Sequence, residues 1–258
     1  MGAFEGLTAL VTGATGGFGR RTAERLAAEG ARLVLSDLDA AGLEAVATGL
    51  GTPAVTLAGD IADETLSERL AALAVERFGR LDIAINNAGV AQSFVKLAQV
   101  PSDEARRIID IDLLGVFYAM KHQIPVMEAQ FRAGGKGGAI VNVASVAGTG
   151  GAARLSVYAA AKHGVVGLTR SAALEYAGRG IRVNAVCPSY ARTAMVGDFV
   201  KLAGTGEDEA LAELTRGVPM RRVAEIDEIV EVILFAARPK NSFMTGHALA
   251  VDGGIAAL

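Results

Sequence analysis

Seven short apolar runs alternate with helical patterns along this chain, and this alternation limits the possible folds more than any other feature of the sequence. The runs that predict strands lie near residues 7–12, 31–36, 53–58, 81–86, 138–144, 180–187 and 247–251. The helical patterns lie near 17–30, 39–50, 63–79, 101–132, 154–178 and 225–237. Strand–helix alternation predicts an α/β fold with a doubly wound parallel sheet of about seven strands and helices on both faces. Most runs are apolar throughout, which is typical of strands covered on both sides.

Length and composition predict a single domain over residues 1–258. The chain is 51% apolar, and no Pro- or Ser-rich linker divides it. A net charge of −3 favours neither nucleic acid nor an anionic membrane as a partner. No stretch reaches the ~18 uninterrupted apolar residues of a membrane span. The chain has one cysteine, Cys187, so it cannot form an internal disulfide, and we expect a cytoplasmic protein in a reducing compartment. Cys187 itself is expected to be a small buried hydrophobe.

A glycine-rich turn stands between the first predicted strand and the first predicted helix. Its sequence is Thr12-Gly13-Ala14-Thr15-Gly16-Gly17-Phe18-Gly19. Backbone N–H groups of such a turn approach a pyrophosphate closely, and the dipole of the following helix favours the anion. A flexible surface turn is the alternative, which the flanking strand and helix disfavour. The turn therefore predicts a Rossmann-type dinucleotide site.

Asp37 ends the second apolar run, eighteen residues after Gly19. A carboxylate at this point can accept hydrogen bonds from the ribose hydroxyls of the adenosine half, and it repels a 2′-phosphate. Positions 14 to 18 carry no basic residue and Leu38 follows Asp37, so NAD is favoured over NADP. Arg20 and Arg21 are near enough to argue for NADP, and their alternative role is a solvated first helical turn.

Three polar side chains have the chemistry of proton transfer. Tyr158 and Lys162 are four residues apart in a helical pattern and so share one face, and Ser145 precedes Tyr158 by thirteen residues. Using a phenol as acid and base at neutral pH requires roughly 4 kcal/mol of preferential phenolate stabilisation. One ammonium about 4 Å away supplies a contribution of that order. Ser145 can donate a hydrogen bond to a substrate oxygen, whereas a half-buried tyrosine and a surface lysine are the alternative.

These motifs make the chain resemble the short-chain dehydrogenase/reductases over nearly all of its length. The resemblance adds Asp60, Asn86-Asn87-Ala88-Gly89, Pro188, Thr193 and Val251-Asp252-Gly253-Gly254. It implies an oxidoreductase with a nicotinamide cofactor, no metal, and Ser145, Tyr158 and Lys162 as catalytic residues. The cofactor contacts it implies are Gly13, Thr15, Gly17, Phe18, Gly19, Asp37, Leu38, Asp60, Ile61, Asn87, Ala88, Gly89, Tyr158, Lys162, Pro188 and Thr193.

The chain departs from the family pattern in two places. Where the family usually has Asn in a pattern like Asp-x-Asn-Leu-x-Gly, this sequence has Asp110-Ile111-Asp112-Leu113-Leu114-Gly115. Asp112 takes the place of a fourth catalytic residue; it keeps the acceptor oxygen, loses the amide donor and adds a charge near Lys162. The usual Pro-Gly is Pro188-Ser189.

The substrate pocket is expected at the loops after the fourth, fifth and sixth strands. Its candidates are mostly apolar: Gln92, Phe94, Val146, Ala147, Leu155, Tyr190, Met195 and Phe199. Residues near 194–220 are predicted to form a substrate lid, with a surface helix pair as the alternative. Arg154 has two possible roles, pairing with a single substrate carboxylate or standing solvated at a helix start.

The expected substrate is a secondary alcohol or ketone on a small hydrophobic body, with a cyclic body as one option, and it is expected to react with NAD. A 3-oxoacyl thioester reductase using NADPH is one alternative, and a cofactor-sensing binding protein without turnover is another. Family resemblance implies a homotetramer. The helices at 101–132 and 154–178 are expected to contribute their outer faces to it, including Phe117, Met120 and Leu168.

Overall fold

The chain folds around one parallel sheet. The computed structural model describes residues 2–203 and 206–257. Its strands are β1 Thr8–Thr12, β2 Arg32–Ser36, β3 Ala54–Thr56, β4 Ile83–Asn86, β5 Gly138–Val143, β6 Ile181–Pro188 and β7 Ala248–Val251. Neighbouring strands are parallel throughout, in the order β3-β2-β1-β4-β5-β6-β7. The predicted sheet is confirmed, and each strand begins and ends within two residues of its predicted range.

Helices cover both faces of the sheet, as predicted. They are α1 Gly17–Ala28, α2 Ala40–Gly49, α3 Glu64–Phe78, α4 Ser102–Ile109, α5 Gly115–Arg132, α6 Ser156–Tyr176, α7 Ala194–Ala203, α8 Glu207–Leu214 and α9 Ile226–Ala237. Successive strand residues point to opposite faces. Val11 packs in a core with residues of α1, α2 and α9, and Leu10 packs in a second core with residues of α3, α5 and α6.

The strand order places the candidate site. From β1 the sheet grows in one direction through β2 and β3, and in the other through β4 to β7. The loops that leave the carboxyl ends of β1 and β4 therefore diverge, and a crevice opens between them. In open α/β sheets this is where ligands bind.

One prediction about the long helices is confirmed and one is wrong. The range 101–132 is helical from Ser102 to Arg132, as predicted, and a π-helical turn at Asp110–Leu114 lies between α4 and α5. Met120 does not lie on an outer face, since it is only 5% exposed and packs in the core beside α3 and α6. Phe117 is 41% exposed, as expected for the outer face.

Cys187 is fully buried in β6. Burial raises the pKa of its thiol to about 11, so it is a poor nucleophile and the prediction of a buried hydrophobe is confirmed. Among the described residues, we find no helix with the length and apolar character needed to cross a membrane.

Candidate active site

The glycine turn after β1 is packed too tightly for side chains. Gly13 has φ of +65°, and a Cβ there would lie 2.7 Å from Asn87 Nδ2. A Cβ on Gly19 would collide with the carbonyl oxygen of Gly13. α1 begins at Gly17, and its N-cap, Gly16, has no side chain to occupy the N–H groups of the first turn. A cradle of bare backbone at a helix N-terminus fits the pyrophosphate of a dinucleotide.

Thr12 joins the glycine turn to the loop after β4. Its hydroxyl oxygen accepts hydrogen bonds from the backbone N–H groups of Asn87, at 3.0 Å, and Ala88, at 3.1 Å. The Asn87 amide returns a bond to the Thr12 carbonyl at 3.0 Å and one to the Gly13 carbonyl at 3.2 Å. Sequence analysis missed this role of Thr12, although a hydroxyl residue closing an apolar strand was a usable signal.

Asp37 is held in place at the end of β2. Its Oδ2 accepts from the backbone N–H of Thr15 at 3.0 Å and from the Thr15 hydroxyl at 2.8 Å. Its Oδ1 accepts from the backbone N–H of Leu38 at 2.8 Å. Leu38 itself is 70% exposed. A partly buried carboxylate is thus fixed beside the glycine turn, with an exposed apolar side chain next to it.

Arg20 and Arg21 are engaged by acidic residues. Arg20 Nε lies 3.0 Å from Glu24 Oε1 within α1. Arg21 Nε lies 2.6 Å from Asp227 Oδ1 of α9, and Arg21 Nη1 lies 3.2 Å from Glu24 Oε2. The two cations that could argue for a 2′-phosphate therefore have carboxylate partners of their own.

Other predicted cofactor residues lie in α1 and in the loops after β3 and β6. A Cβ on Gly17 would lie 3.1 Å from Thr193 Cγ2, so Thr193 packs over the glycine turn. Asp60 is exposed and its Oδ1 accepts from the Ala62 N–H at 2.9 Å, while Ile61 is 9% exposed. Phe18 packs against the core.

Tyr158 and Lys162 adjoin each other on α6, and Lys162 reaches the carboxyl end of β5, the strand that Ser145 follows. Lys162 Nζ lies 5.5 Å from the Tyr158 ring centroid and donates to the carbonyl of Val143, the last residue of β5, at 3.3 Å. Lys162 is only 4% exposed. Ser145 Oγ, two residues beyond Val143, accepts from the Ala147 N–H at 3.1 Å and donates to the Pro188 carbonyl at 3.5 Å.

Asp112 is the buried acid of the site. It lies in the π-helical turn, is 0% exposed, and its Oδ1 accepts from the Val90 N–H at 2.7 Å. A Cβ on Gly89 would lie 3.0 Å from Asp112 Oδ1 and 3.4 Å from Lys162 Nζ, so the two side chains meet at this glycine.

The burial of the second oxygen of Asp112 bears on the pKa of its carboxyl group. Within the described part of the chain, Oδ2 is buried and has no hydrogen-bond partner. Burial raises the pKa of Asp112, and this effect is opposed by the Lys162 ammonium, the Val90 N–H and Arg107. π-Helical turns are frequent at functional sites, and this one carries the residue that departs from the family pattern.

The predicted substrate residues do not form one uniform group. Ala147 is buried, Leu155 and Tyr190 are half-buried, and burial raises the pKa of the Tyr190 phenol. Phe94 is 43% exposed. Gln92 is 6% exposed, and its amide binds the backbone at the start of α6. The side chains of Met195 and Phe199 lie outside the described residues.

Arg154 precedes α6 instead of starting it. Its φ of +66° is left-handed, and its guanidinium lies 5.3 Å from the Phe94 ring centroid. Arg154 is exposed and stands two residues before the first residue of α6, so its solvated position at the helix start agrees with one of its two predicted roles.

A buried chain of amides anchors the helices behind the site. Asn86 Nδ2 donates to Asn142 Oδ1 at 2.9 Å, joining β4 to β5. Asn142 Nδ2 donates to the Thr169 hydroxyl of α6 at 2.9 Å, and Gln123 Nε2 of α5 donates to Asn86 Oδ1 at 2.8 Å. Sequence analysis missed this network. Polar residues inside apolar strands were the available signal.

Comparison with known proteins agrees with the class that fold and site define, an oxidoreductase of the dinucleotide-binding α/β type. A family model described as enoyl-(acyl carrier protein) reductase matches residues 13–256. The chain belongs to the short-chain dehydrogenase/reductase superfamily.

Its relatives include dehydrogenases of ring alcohols. The chain is 43% identical to cis-4-hydroxycyclohexanecarboxylate dehydrogenase of Sinomonas cyclohexanicum, over 99% of both chains. It is 38% identical to cyclohexanol dehydrogenase of Acinetobacter sp. (strain SE19), over 97% of this chain and 95% of that one. The crystal structure of levodione reductase matches with a TM-score of 0.92 and 36% identity, over 98% of this chain and 99% of that one.

The superfamily binds a nicotinamide cofactor. Solved neighbours of this chain hold either NADH or NADPH. The choice between the two must therefore come from this chain's own residues.

Proposed function

We propose that this protein is an NAD-dependent dehydrogenase that oxidises a secondary alcohol on a hydrophobic six-membered ring to the ketone. The observation that carries the proposal is the contact of Lys162 with both the Tyr158 ring and the last carbonyl of β5, the strand that Ser145 follows. The ring is supported by two relatives whose names specify cyclohexane alcohols. It is also consistent with a pocket predicted to be mostly apolar.

Each of the three residues has a separate role in this proposal. Ser145 donates a hydrogen bond to the substrate oxygen as charge develops there. Tyr158, as phenolate, accepts the hydroxyl proton, and the buried Lys162 ammonium stabilises that phenolate. The bound nicotinamide supplies the acceptor for the hydride on the carbinol carbon.

The preference for NAD is proposed from Asp37. Four donors hold its carboxylate beside the glycine turn, where it would accept from ribose hydroxyls and repel a 2′-phosphate. Arg20 and Arg21 support the same choice, since both are paired with carboxylates. The glycine cradle at Gly13 to Gly19 would hold the pyrophosphate, and Asn87 and Thr193 would border it.

We also propose that residues 194–220 form the lid over the substrate. This segment begins beside the cofactor cradle, where Thr193 packs on Gly17. Arg192 joins its base to α9, with Nε 3.2 Å from Glu225 Oε1, and reaches Glu207 at the start of α8 at 3.9 Å. A helix pair fastened at its base can close over a ligand.

The proposed assembly is a cytoplasmic homotetramer.

A second candidate is a 3-oxoacyl thioester reductase using NADPH. The description of the matching family model, which names an acyl carrier protein substrate, favours it. Asp37 argues against it, because the carboxylate disfavours the 2′-phosphate of NADPH.

A turnover panel distinguishes the candidates. Purified protein is assayed with NAD and with NADP against cyclohexanol, cis-4-hydroxycyclohexanecarboxylate, a linear secondary alcohol and a 3-hydroxyacyl thioester. We expect the highest kcat/KM for a ring alcohol with NAD. Preferred turnover of the thioester with NADP would support the second candidate. Binding of NADH without turnover of any substrate would support a cofactor sensor.

Tyr158→Phe tests the mechanism in the same assay. It keeps the ring and removes the proton carrier, so turnover should fall below a few per cent while NADH binding, followed by fluorescence, persists. Retention of most of the activity would mean that another group carries the proton.

A further inference from the structure

The helix that carries Tyr158 and Lys162 begins without a cap of its own. α6 starts at Ser156, and the preceding residue, Leu155, offers no side-chain acceptor to the first turn. The first N–H groups of a helix have no partner within the helix, so they need an acceptor from elsewhere. Tyr158 is the third residue of α6, and its own backbone N–H is one of these groups.

Gln92 supplies that acceptor from the loop after β4. Its Oε1 lies 2.9 Å from the Val157 nitrogen and 3.0 Å from the Tyr158 nitrogen. These are the two N–H groups that an ordinary N-cap side chain serves. The Nε2 of the same amide donates to the Arg154 carbonyl at 3.2 Å. One buried side chain thus holds the backbone on both sides of the helix start.

The turn before α6 depends on the same loop. Arg154 has φ of +66°, which costs energy for a residue with a Cβ and persists only where the surroundings enforce it. Gln92 holds its carbonyl, and its guanidinium lies against the Phe94 ring. Gln92 and Phe94 both follow β4, so this loop sets the direction in which α6 begins.

We propose that Gln92 is a positioning residue for the reaction, fixing the first turn of α6 so that the Tyr158 phenol reaches the substrate, and that its amide is neutral in order not to oppose the phenolate. The proposal rests on the function proposed above, in which Tyr158 removes the hydroxyl proton. It replaces the substrate contact predicted for Gln92 from sequence.

The neutrality of the cap has a physical reason. A carboxylate is ordinarily the better partner for a helix N-terminus, because its charge complements the helix dipole. At this position the charge would lie against the backbone of the catalytic tyrosine and disfavour its phenolate. An amide keeps the acceptor oxygen without the charge.

Gln92→Met tests the positioning role, because it removes the acceptor and keeps a long, unbranched side chain. Oxidation of the best alcohol of the panel should lose roughly 10-fold or more in kcat, since the phenol leaves its reactive geometry. The KM for that alcohol and the Kd for NADH, measured by fluorescence, should each change less than about 3-fold. A raised KM with unchanged kcat would make Gln92 a substrate contact and overturn the proposal.

Gln92→Glu tests the neutrality, because it keeps the acceptor for the helix and adds the charge, while it loses the Nε2 donor to the Arg154 carbonyl. Its thermal midpoint should fall no further than that of Gln92→Met, because the carboxylate still caps the helix. The acidic limb of kcat/KM for alcohol oxidation should move up by roughly 0.5 pH unit, because the charge favours the neutral phenol. An unmoved limb would overturn the proposal.

Asp63→Ala is the matched control for loss of a helix cap. Asp63 caps α3 through Oδ1, which accepts from the Thr65 N–H at 3.0 Å. This variant should lower the thermal midpoint and leave the pH profile unmoved. A profile that moved as it does in Gln92→Glu would make the shift a general effect of stability, against the proposal.

Tyr158→Phe separates the two levels of inference. If it retains turnover, the proposed function fails. If it is inactive while both Gln92 variants match the parent in kcat and pH profile, only the role of Gln92 fails.

Discussion

At the scale of single residues, the site is defined by charges held in fixed places. Asp37 is fixed by four donors at the proposed cofactor end, and Lys162 is buried at the proposed catalytic end. Asp112 adds a carboxylate beside Lys162, at the position where the family pattern usually has Asn. In the proposed function Asp37 affects the choice of cofactor, whereas Lys162 and Asp112 affect proton transfer, so the two effects can be tested separately.

Asp112→Asn should move the acidic limb of the kcat/KM profile for alcohol oxidation to lower pH. Burial raises the pKa of Asp112. Above that raised pKa the carboxylate is ionised, offsets part of the Lys162 charge and opposes the phenolate. The variant removes the negative charge and keeps the acceptor for the Val90 N–H. The measurement is kcat/KM from pH 5 to 10 for both proteins, and superimposable profiles would contradict the role of Asp112.

Asp37→Ala should narrow the cofactor preference mainly by weakening NAD. In the parent we expect kcat/KM with NAD to exceed that with NADP by at least ~10-fold, which is about 1.4 kcal/mol. The check is steady-state kinetics with both cofactors at one fixed alcohol concentration. Equal use of NAD and NADP by the parent would refute the assignment.

At the scale of elements, the helices behind the site are anchored by polar contacts within an apolar core. Thr169 of α6 accepts from Asn142 of β5, and its hydroxyl donates to the Val165 carbonyl at 2.8 Å. Removing one member leaves a buried donor unpaired, which costs more than the hydrogen bond contributes. The network therefore connects the packing of α6 to the position of the residues it carries.

Thr169→Val should lower the free energy of unfolding by about 1–3 kcal/mol. The substitution keeps the shape and the β-branching of the side chain. It removes the oxygen that accepts from Asn142 Nδ2, which then keeps only the weak acceptor Met120 Sδ. Thr48→Val is its control, because the Thr48 hydroxyl donates to the Glu44 carbonyl at the same 2.8 Å but on an exposed face of α2. The control should cost less than about 0.5 kcal/mol. Urea denaturation measures both, and equal losses would contradict the argument.

Sequence patterns predicted the strands well because both faces of the sheet are buried, so apolar runs such as Leu7 to Val11 have one interpretation. They did not reveal the π-helical turn at Asp110–Leu114, which no glycine or proline marks. This turn accompanies tertiary contacts, Asp112 with Val90 and Gly115 with Ile61. The sequence therefore predicted the extent of the helix but not the change in its winding.

The sequence predicted which residues belong to the candidate site. It did not predict the contacts that hold those residues in place. The glycine turn, Asp37 and the Tyr158–Lys162 spacing are local in sequence. Gln92 and Tyr158 are 66 positions apart, so no local pattern could reveal that one caps the other. Met120 was misassigned because helical spacing identifies a face without showing which neighbour covers it.

At the scale of the whole molecule, the described outer surface includes apolar side chains on α5 and α6. Phe117 and Phe131 of α5 are 41% and 38% exposed, and Leu174 of α6 is 86% exposed. Exposed apolar groups on adjacent long helices are typical of an oligomer contact. They are candidate contacts for the proposed homotetramer.

Light scattering at micromolar concentration should give the mass of four 26.4 kDa chains. Phe117→Asp should lower that mass, because a charge buried at the contact is unpaired. Val75→Asp is the control, since Val75 of α3 has a similar exposure of 42% and no predicted contact. A monomeric mass for the parent would refute the tetramer, and a reduced mass for both variants would refute the assignment of the surface.

The loop after β4 touches both ends of the chemistry. Asn87 binds backward to β1 and the glycine turn, while Gln92, five residues later, binds forward to the start of α6. A substitution that shifts the backbone of this loop, unlike one that removes a single contact of Gln92, should therefore weaken cofactor binding and slow turnover together. A change at Asp37 should alter mainly the KM for the cofactor, whereas a shift of this loop should alter both that KM and kcat. A kinetic screen would then record two altered constants that have one structural cause.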